Sequence, residues 1–402
     1  MKVLLRLFYS LSILLISIVP LKAIPQFSLI SGNRCNSCHV NNQGAGIRND
    51  LGWYSYRDVG AIQPDDLGLG SIWGFQDSLR NAIGSKANIG FDSRIQFVRS
   101  RNPEAESSII PMQFSLYGSY AFTPWITAEG SYNVGPIKYR GQQSATASVI
   151  VQPSLEYPSL RIGFFQPSIG VRNDDHTTMN RQIAGGWLNE YMLTPYSQMT
   201  LIAPNFSALG AEMQYESVHW LSVSAGVFSN STLNQNAVSY SNKTSTAISL
   251  RAVVWPRFFD NTVNTYLGSS MLVNGDFSLM NYFVGIGITD VASLSVDLVE
   301  STLNHNKSTE VPLKSGSFVS SNSKTISSEL MLQAYTWLFP FVRGEYAELD
   351  YEYDTKIMIR QYVLGMQIMP LPNIEIRPEY RIFDTELPGY IGRWGAQLHI
   401  YY

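Results

Sequence analysis

Cysteine is nearly absent from this chain: there are two in 402 residues, along with five histidines. A zinc site needs four ligands, and no second cysteine pair exists to complete one. Charge is also scarce. Charged residues make up 15% of the sequence, against about 25% in an ordinary soluble domain. The net charge of −3 carries no sign of a nucleic-acid footprint. Beyond residue 23 there is no apolar run of the ~20 residues a spanning helix needs. No phosphate-binding glycine loop, nucleophile–base constellation or metal-binding helix motif stands out. What the chain does have is aromatic side chains, 12% of the total, with 23 Tyr and 19 Phe.

The N-terminus reads as a targeting segment. Lys2 and Arg6 precede an apolar run from Leu7 to Val19, and Ala23 is the expected last residue of a cleaved secretory signal. The run is too short for a membrane anchor. An exported, aromatic-rich, weakly charged chain without spanning helices points to an all-β fold, a transmembrane β-barrel.

Strand periodicity supports this. From Ile374 to Ile382 the odd positions Glu375, Arg377, Glu379 and Arg381 are charged and the even positions are non-polar. Successive strand side chains point to opposite faces, so one face can meet lipid and the other water. The last strand repeats the pattern: Tyr390, Gly392, Trp394, Ala396, Leu398, Ile400 and Tyr402 alternate with Arg393, Gln397 and His399. Phe91, Ile95 and Phe97 alternate with Asp92, Arg94 and Gln96, and Ile248 and Leu250 with Ser249 and Arg251. Counting such segments from Ala87 to Tyr402 gives about sixteen antiparallel strands of ~10 residues. The terminal aromatic resembles the C-terminal signature of bacterial outer-membrane barrels.

Loop lengths give a second test. Short turns are expected at Thr123-Pro124, Tyr157-Pro158, Ser217-Val218, Pro256-Arg257, Thr289-Asp290, Phe339-Pro340 and Leu371-Pro372-Asn373. Between them lie longer polar links, including 100–110, 135–143, 167–206, 230–243, 302–324 and 349–355. Such barrels alternate periplasmic turns with external loops, which puts both barrel ends in the periplasm. Sixteen strands enclose an aqueous lumen unless something fills it. The expected lumen face carries Asp92, Arg94, Glu129, Arg161, Arg251, Glu329, Arg343, Glu375, Arg377, Glu379, Arg381 and Arg393.

The chain therefore divides into a signal peptide (1–23), an N-terminal segment (24–86) and a porin-like barrel (87–402). The N-terminal segment holds both cysteines, in Cys35-Asn36-Ser37-Cys38-His39. C-x-x-C-H is the spacing for covalent haem c: two thiols form thioethers and the adjacent imidazole binds the iron. A thioredoxin-like pair would need a βαβ context, which is absent. A structural disulfide stays open in an exported chain. The reading is one covalent haem c on Cys35 and Cys38, with His39 as axial ligand. No methionine and no further histidine lies between Ile24 and Ala87, so a sixth ligand has to come from elsewhere. His399, on the polar face of the last strand, and His176, in the third external loop (167–206), are candidates. Porin loops of that position often fold into the lumen. An acidic run, Glu348, Asp350, Glu352 and Asp354, would draw cations if it lies outside.

The first forty mature residues resemble the fused outer-membrane cytochrome–porins of the iron-oxidase type. The shared order is Pro25-Gln26-Phe27, Gly32, the Cys35–His39 motif, then Leu51-Gly52-Trp53-Tyr54 and Tyr56 through Gly60. The family often has a proline shortly after the motif, where this chain has Asn41-Asn42-Gln43-Gly44. The resemblance implies extracellular electron transfer. Electrons would pass from an external donor, ferrous iron leading, through a barrel-held haem to a periplasmic cytochrome or other carrier, with outer-membrane lipid around the barrel. In enzyme terms that is an iron(II):cytochrome c oxidoreductase type of activity. The competing function is a porin or transport channel in which the haem segment is a gate or plug. A segment of this size could fill a sixteen-stranded lumen.

Overall fold

The computed structural model describes residues 25–39, 47–48, 52, 59–70, 82–84, 86–100, 107–133, 145–154, 156–171, 178, 207–229, 246–274, 277–303, 321–351, 355–385 and 391–402. Among these residues, eighteen strands form one antiparallel sheet, and two of them, Ala82–Ile83 and Arg257–Phe258, are two-residue pieces. The other sixteen close on themselves. In chain order they are β1 (Ala87–Ser100), β2 (Ser108–Thr123), β3 (Ile126–Asn133), β4 (Ala145–Val151), β5 (Ser159–Phe165), β6 (Ala208–Tyr215), β7 (Leu221–Ser229) and β8 (Thr246–Val254). There follow β9 (Val263–Asn274), β10 (Phe277–Ile288), β11 (Ala292–Leu303), β12 (Ser321–Leu332), β13 (Leu338–Tyr351), β14 (Thr355–Leu371), β15 (Ile374–Thr385) and β16 (Ile391–Tyr401). Each strand pairs with its sequence neighbours, and β16 pairs with β1 from Arg393↔Ser100 to Tyr401↔Asp92, closing the barrel. Closure leaves no edge, so the wall's backbone groups pair within the sheet, as hydrocarbon demands. No helix among the described residues is long and apolar enough to cross a membrane.

Alternation sorts the two faces as expected. Ile95, Phe97, Ile248, Leu250, Leu294, Ile376, Trp394 and Leu398 are exposed on the outside, while Asp92, Arg94, Gln96, Ser249, Arg251, Ser295, Arg377 and Gln397 are buried inside. Eleven of the twelve expected lumen charges are among the buried residues, and Glu129 is half-buried beside Arg161. Exposed aromatics collect at the short-turn end: Tyr120, Phe122, Trp125, Tyr157, Trp220, Phe258, Phe259 and Tyr335. Amphipathic rings favour the headgroup level, so this end marks one membrane interface.

Six of the seven expected turns connect strands where the sequence places them. The tightest use left-handed residues, Asp290 (φ 59°) and Asn373 (φ 66°). The seventh is corrected. Phe339 and Pro340 lie inside β13, paired with Gln367 and Met366, and the chain turns earlier, through Tyr335 and Trp337, whose rings stack 5.3 Å apart. The β12–β13 ladder ends at Met331↔Phe341, so Pro340 sits just past it and its missing N–H costs no bond there.

Candidate functional site: the occupied lumen

The inner wall carries a continuous ladder of charge. On β12 and β13, Arg343 lies between Glu329 (Nη1–Oε2 3.3 Å) and Glu345 (Nε–Oε2 3.3 Å). Gln361 of β14 donates to Glu345, and its carbonyl accepts from Arg381 Nη1 at 3.5 Å. Arg381 Nε donates to Glu379 Oε1 at 2.7 Å, and Arg377 lies 3.7 Å from the other oxygen of Glu379. Across β15, β16 and β1, His399 is held on both sides: Nδ1 is 3.1 Å from Glu375 Oε2, and Nε2 is 3.2 Å from Asp92 Oδ1. Asp92 in turn accepts from Arg94 at 3.1 Å. Charges this deep are tolerable because each has a partner within hydrogen-bond or ion-pair reach.

Against this ladder lies the N-terminal segment. Helix α1 (Pro25–Ser31) packs on the inner faces of β9, β10 and β11. Its first turn joins the ladder: Gln26 Nε2 donates to Glu329 Oε1 at 2.7 Å and to Ser295 Oγ at 3.3 Å. Phe27 meets Phe339 edge-on at 5.0 Å, in an apolar cluster with Ile30, Val59, Met331, Phe341, Val363 and Met369. Leu29 packs with Tyr266, Phe283, Val253 and Val171. Two inward glycines of β10 make room: a Cβ on Gly287 would fall 2.6 Å from the Leu29 carbonyl oxygen, and one on Gly285 2.7 Å from Leu29 Cδ1.

The segment docks at the short-turn end. The Asp290 N–H donates to the Ile30 carbonyl at 3.1 Å, Arg34 Nη2 donates to the Val218 carbonyl at 3.2 Å, and Asn264 Nδ2 donates to the Leu29 carbonyl at 3.1 Å. Farther on, the N–H groups of Ala61 and Ile62 donate to the carbonyls of Met369 and Pro370, at 2.8 and 3.1 Å. The segment is thus tied to several strands and turns around the ring. By the loop-length rule, that end is periplasmic.

Cys35–Cys38 forms one short helical turn, α2. Cys38 and His39 are buried, at 1% and 6% exposure. Gly52 lies hard against this turn, where a Cβ would be 1.9 Å from the Cys38 carbonyl oxygen. His39 forms an antiparallel bridge with Arg48. Two cysteines on one turn followed at once by an imidazole are a donor set that fits haem c. Among the described residues no group of His, Cys, Asp and Glu is arranged to hold a bare metal ion. Of the sixth-ligand candidates, His399 is hydrogen-bonded through Nδ1 to Glu375, while its Nε2 faces Asp92 at 3.2 Å, so iron at Nε2 would have to displace that carboxylate. His176 lies outside the described residues, as do Glu352 and Asp354 of the acidic run, whose Glu348 and Asp350 end β13.

The described start of the third external loop lies against the inner wall. Residues 167–171 are buried. The Ser168 N–H donates to Glu212 Oε2 at 2.9 Å, Gly170 N–H to Ser270 Oγ at 2.9 Å, and Arg251 Nε to the Gly170 carbonyl at 2.9 Å. Ile169 seals an apolar cluster with Phe165, Phe228, Leu272 and Leu279 inside the barrel. Sequence reasoning missed Gln26, Glu212, Arg48 and Tyr401. The one available signal was the inward glycine pair, which marks a close backbone approach.

No protein-family model and no curated protein matches the sequence. Solved structures do match the fold. One is OmpT of Vibrio cholerae, an outer-membrane protein, at TM-score 0.51 and 10% identity, covering 80% of this chain and 100% of that one. Another is DcaP of Acinetobacter baumannii, an outer-membrane channel, at TM-score 0.51 and 8% identity, covering 81% and 100%. This chain has the fold of an outer-membrane porin-like β-barrel. Its apolar side chains face outward around the wall, as a lipid-facing barrel requires.

Proposed function

We propose that the protein is a mono-haem cytochrome–porin: an outer-membrane barrel whose N-terminal segment closes the periplasmic end of the lumen and carries one covalent haem c. Electrons pass from an extracellular donor, ferrous iron leading, to a periplasmic carrier. The observation that carries this reading is the packing of the Cys38-His39 turn, buried in a segment bonded to the barrel's inner wall. The hydrocarbon core is ~30 Å thick, too far for one efficient hop, so a single redox centre connects the two sides only if the barrel holds it partway across. When bound, haem supplies a one-electron couple. The chain's own residues do the rest. Cys35 and Cys38 would anchor the group through their thiols and His39 would bind its iron, while Gln26 of α1 ties the segment to the barrel wall and the paired lumen charges would supply its electrostatic surroundings.

A second reading, a solute channel with the segment as gate, is favoured by the likeness to DcaP, described as a channel. Redox titration of the purified protein with and without ferrous iron separates the two. The cytochrome reading expects a covalent c-type spectrum that is reduced by ferrous iron within seconds. Haem that ignores ferrous iron, together with steady conductance in planar bilayers, supports the channel instead.

A further inference from the structure

The last strand approaches the Cys35–His39 motif through Tyr401. His39 and Arg48 are antiparallel bridge partners, and such pairs place their side chains on one face, with Cβ atoms ~5 Å apart. The Arg48 guanidinium carbon lies 4.1 Å from the centroid of the Tyr401 ring. Tyr401 is buried, and its ring meets that of His399 at 4.7 Å and 50°. His399 is fixed by Asp92 and Glu375, and Asp92 by Arg94. So Tyr401 is backed by an imidazole that two strands of the wall hold rigid. The face of Tyr401 seats the guanidinium of His39's bridge partner.

We propose that Tyr401 is a positioning residue for the haem site, acting through Arg48. It holds the guanidinium beside His39, where the fixed positive charge disfavours the ferric state and holds the reduction potential up. This rests on the haem c reading above. The seat is a cation over a buried aromatic face, an interaction that strengthens when desolvated. Its effect on the iron is electrostatic and needs no contact with the group itself.

The test is spectroelectrochemical titration of purified, haem-loaded protein, with folding checked by heat-shifted mobility on gels. Arg48→Leu is expected to raise the ferric-to-ferrous ratio at fixed potential about tenfold, a fall of about 59 mV for a one-electron couple. Tyr401→Leu is expected to move it the same way and to alter the ferric haem's electron paramagnetic resonance signature. Arg48→Lys and Tyr401→Phe, which keep a cation and a ring, stay near the wild type. Folded, haem-loaded Arg48→Leu and Tyr401→Leu proteins with unchanged potential overturn the inference. So does a Tyr401→Leu protein that only melts earlier. Wild-type protein without covalent haem overturns the cytochrome reading itself, and is seen before any variant is made.

Discussion

Enlarging Gly287 tests whether the N-terminal segment occupies the lumen in the working protein. A Cβ there would meet the backbone carbonyl carbon and oxygen of Leu29 at 2.7 and 2.6 Å, so relief requires moving the helix rather than turning a side chain. Overpacking of this kind costs ~1–3 kcal/mol. Docking buries Phe27, Leu29 and Ile30 almost fully. At ~1.5–3 kcal/mol per side chain, about 5–9 kcal/mol holds the helix, an upper figure because unfolded chains also bury surface. Gly287→Ala is therefore expected to shift α1 without expelling it, raising the undocked population by roughly five- to 150-fold from a small base. Gly285→Leu combined with Gly287→Leu brings the cost to the scale of the gain and is expected to release the helix. Planar-bilayer recording should then show larger and noisier conductance, and limited proteolysis should cut the N-terminal segment. Ile286→Leu, on the exposed outer face between the two glycines, serves as the control. A folded double-leucine barrel with wild-type conductance and an uncut N-terminus would refute the argument that the glycines exist to admit the helix.

Other outcomes follow from the inner wall. Glu329→Ala removes the acceptor of Gln26 and one partner of Arg343, while Glu345 stays 3.3 Å away; thermal unfolding in detergent should fall by about 1–3 kcal/mol, less than for a fully orphaned buried charge. Arg251→Ala frees the Gly170 carbonyl; loss of one charged hydrogen bond, ~1.5–3 kcal/mol, should loosen the third loop and be visible as faster amide exchange near Ile169 with the strand ladders unchanged. Cys35→Ala with Cys38→Ala should abolish haem staining on denaturing gels while leaving a folded barrel, and staining that survives would exclude thioether attachment there.

The wall of this protein was legible because a strand has a period of two and a membrane has two solvents. Charges at Glu375, Arg377, Glu379 and Arg381 can only face inward, and that fixes the register of β15 and its neighbours. Alternation and loop lengths gave the strand number, with one error at Phe339-Pro340, where an aromatic–proline pair looks like a turn but sits in a strand beyond a ladder's end. The filling of the lumen was not legible. Inward Leu272, Leu279, Phe283 and Phe339 break the polar pattern only locally, and nothing in their spacing says which distant segment covers them.

The sequence by itself determined a barrel, its two faces and a C-x-x-C-H turn at its N-terminal side, because periodicity and short spacings are local properties of the chain. Only the tertiary structure decided that Cys38 and His39 are buried, that Gln26 joins the ladder at Glu329, and that Arg48 rests on Tyr401. Those contacts join residues some 300 or more positions apart. Their partners are chosen by ring closure, by the space that Gly285 and Gly287 leave open, and by the need of each buried charge for an opposite one.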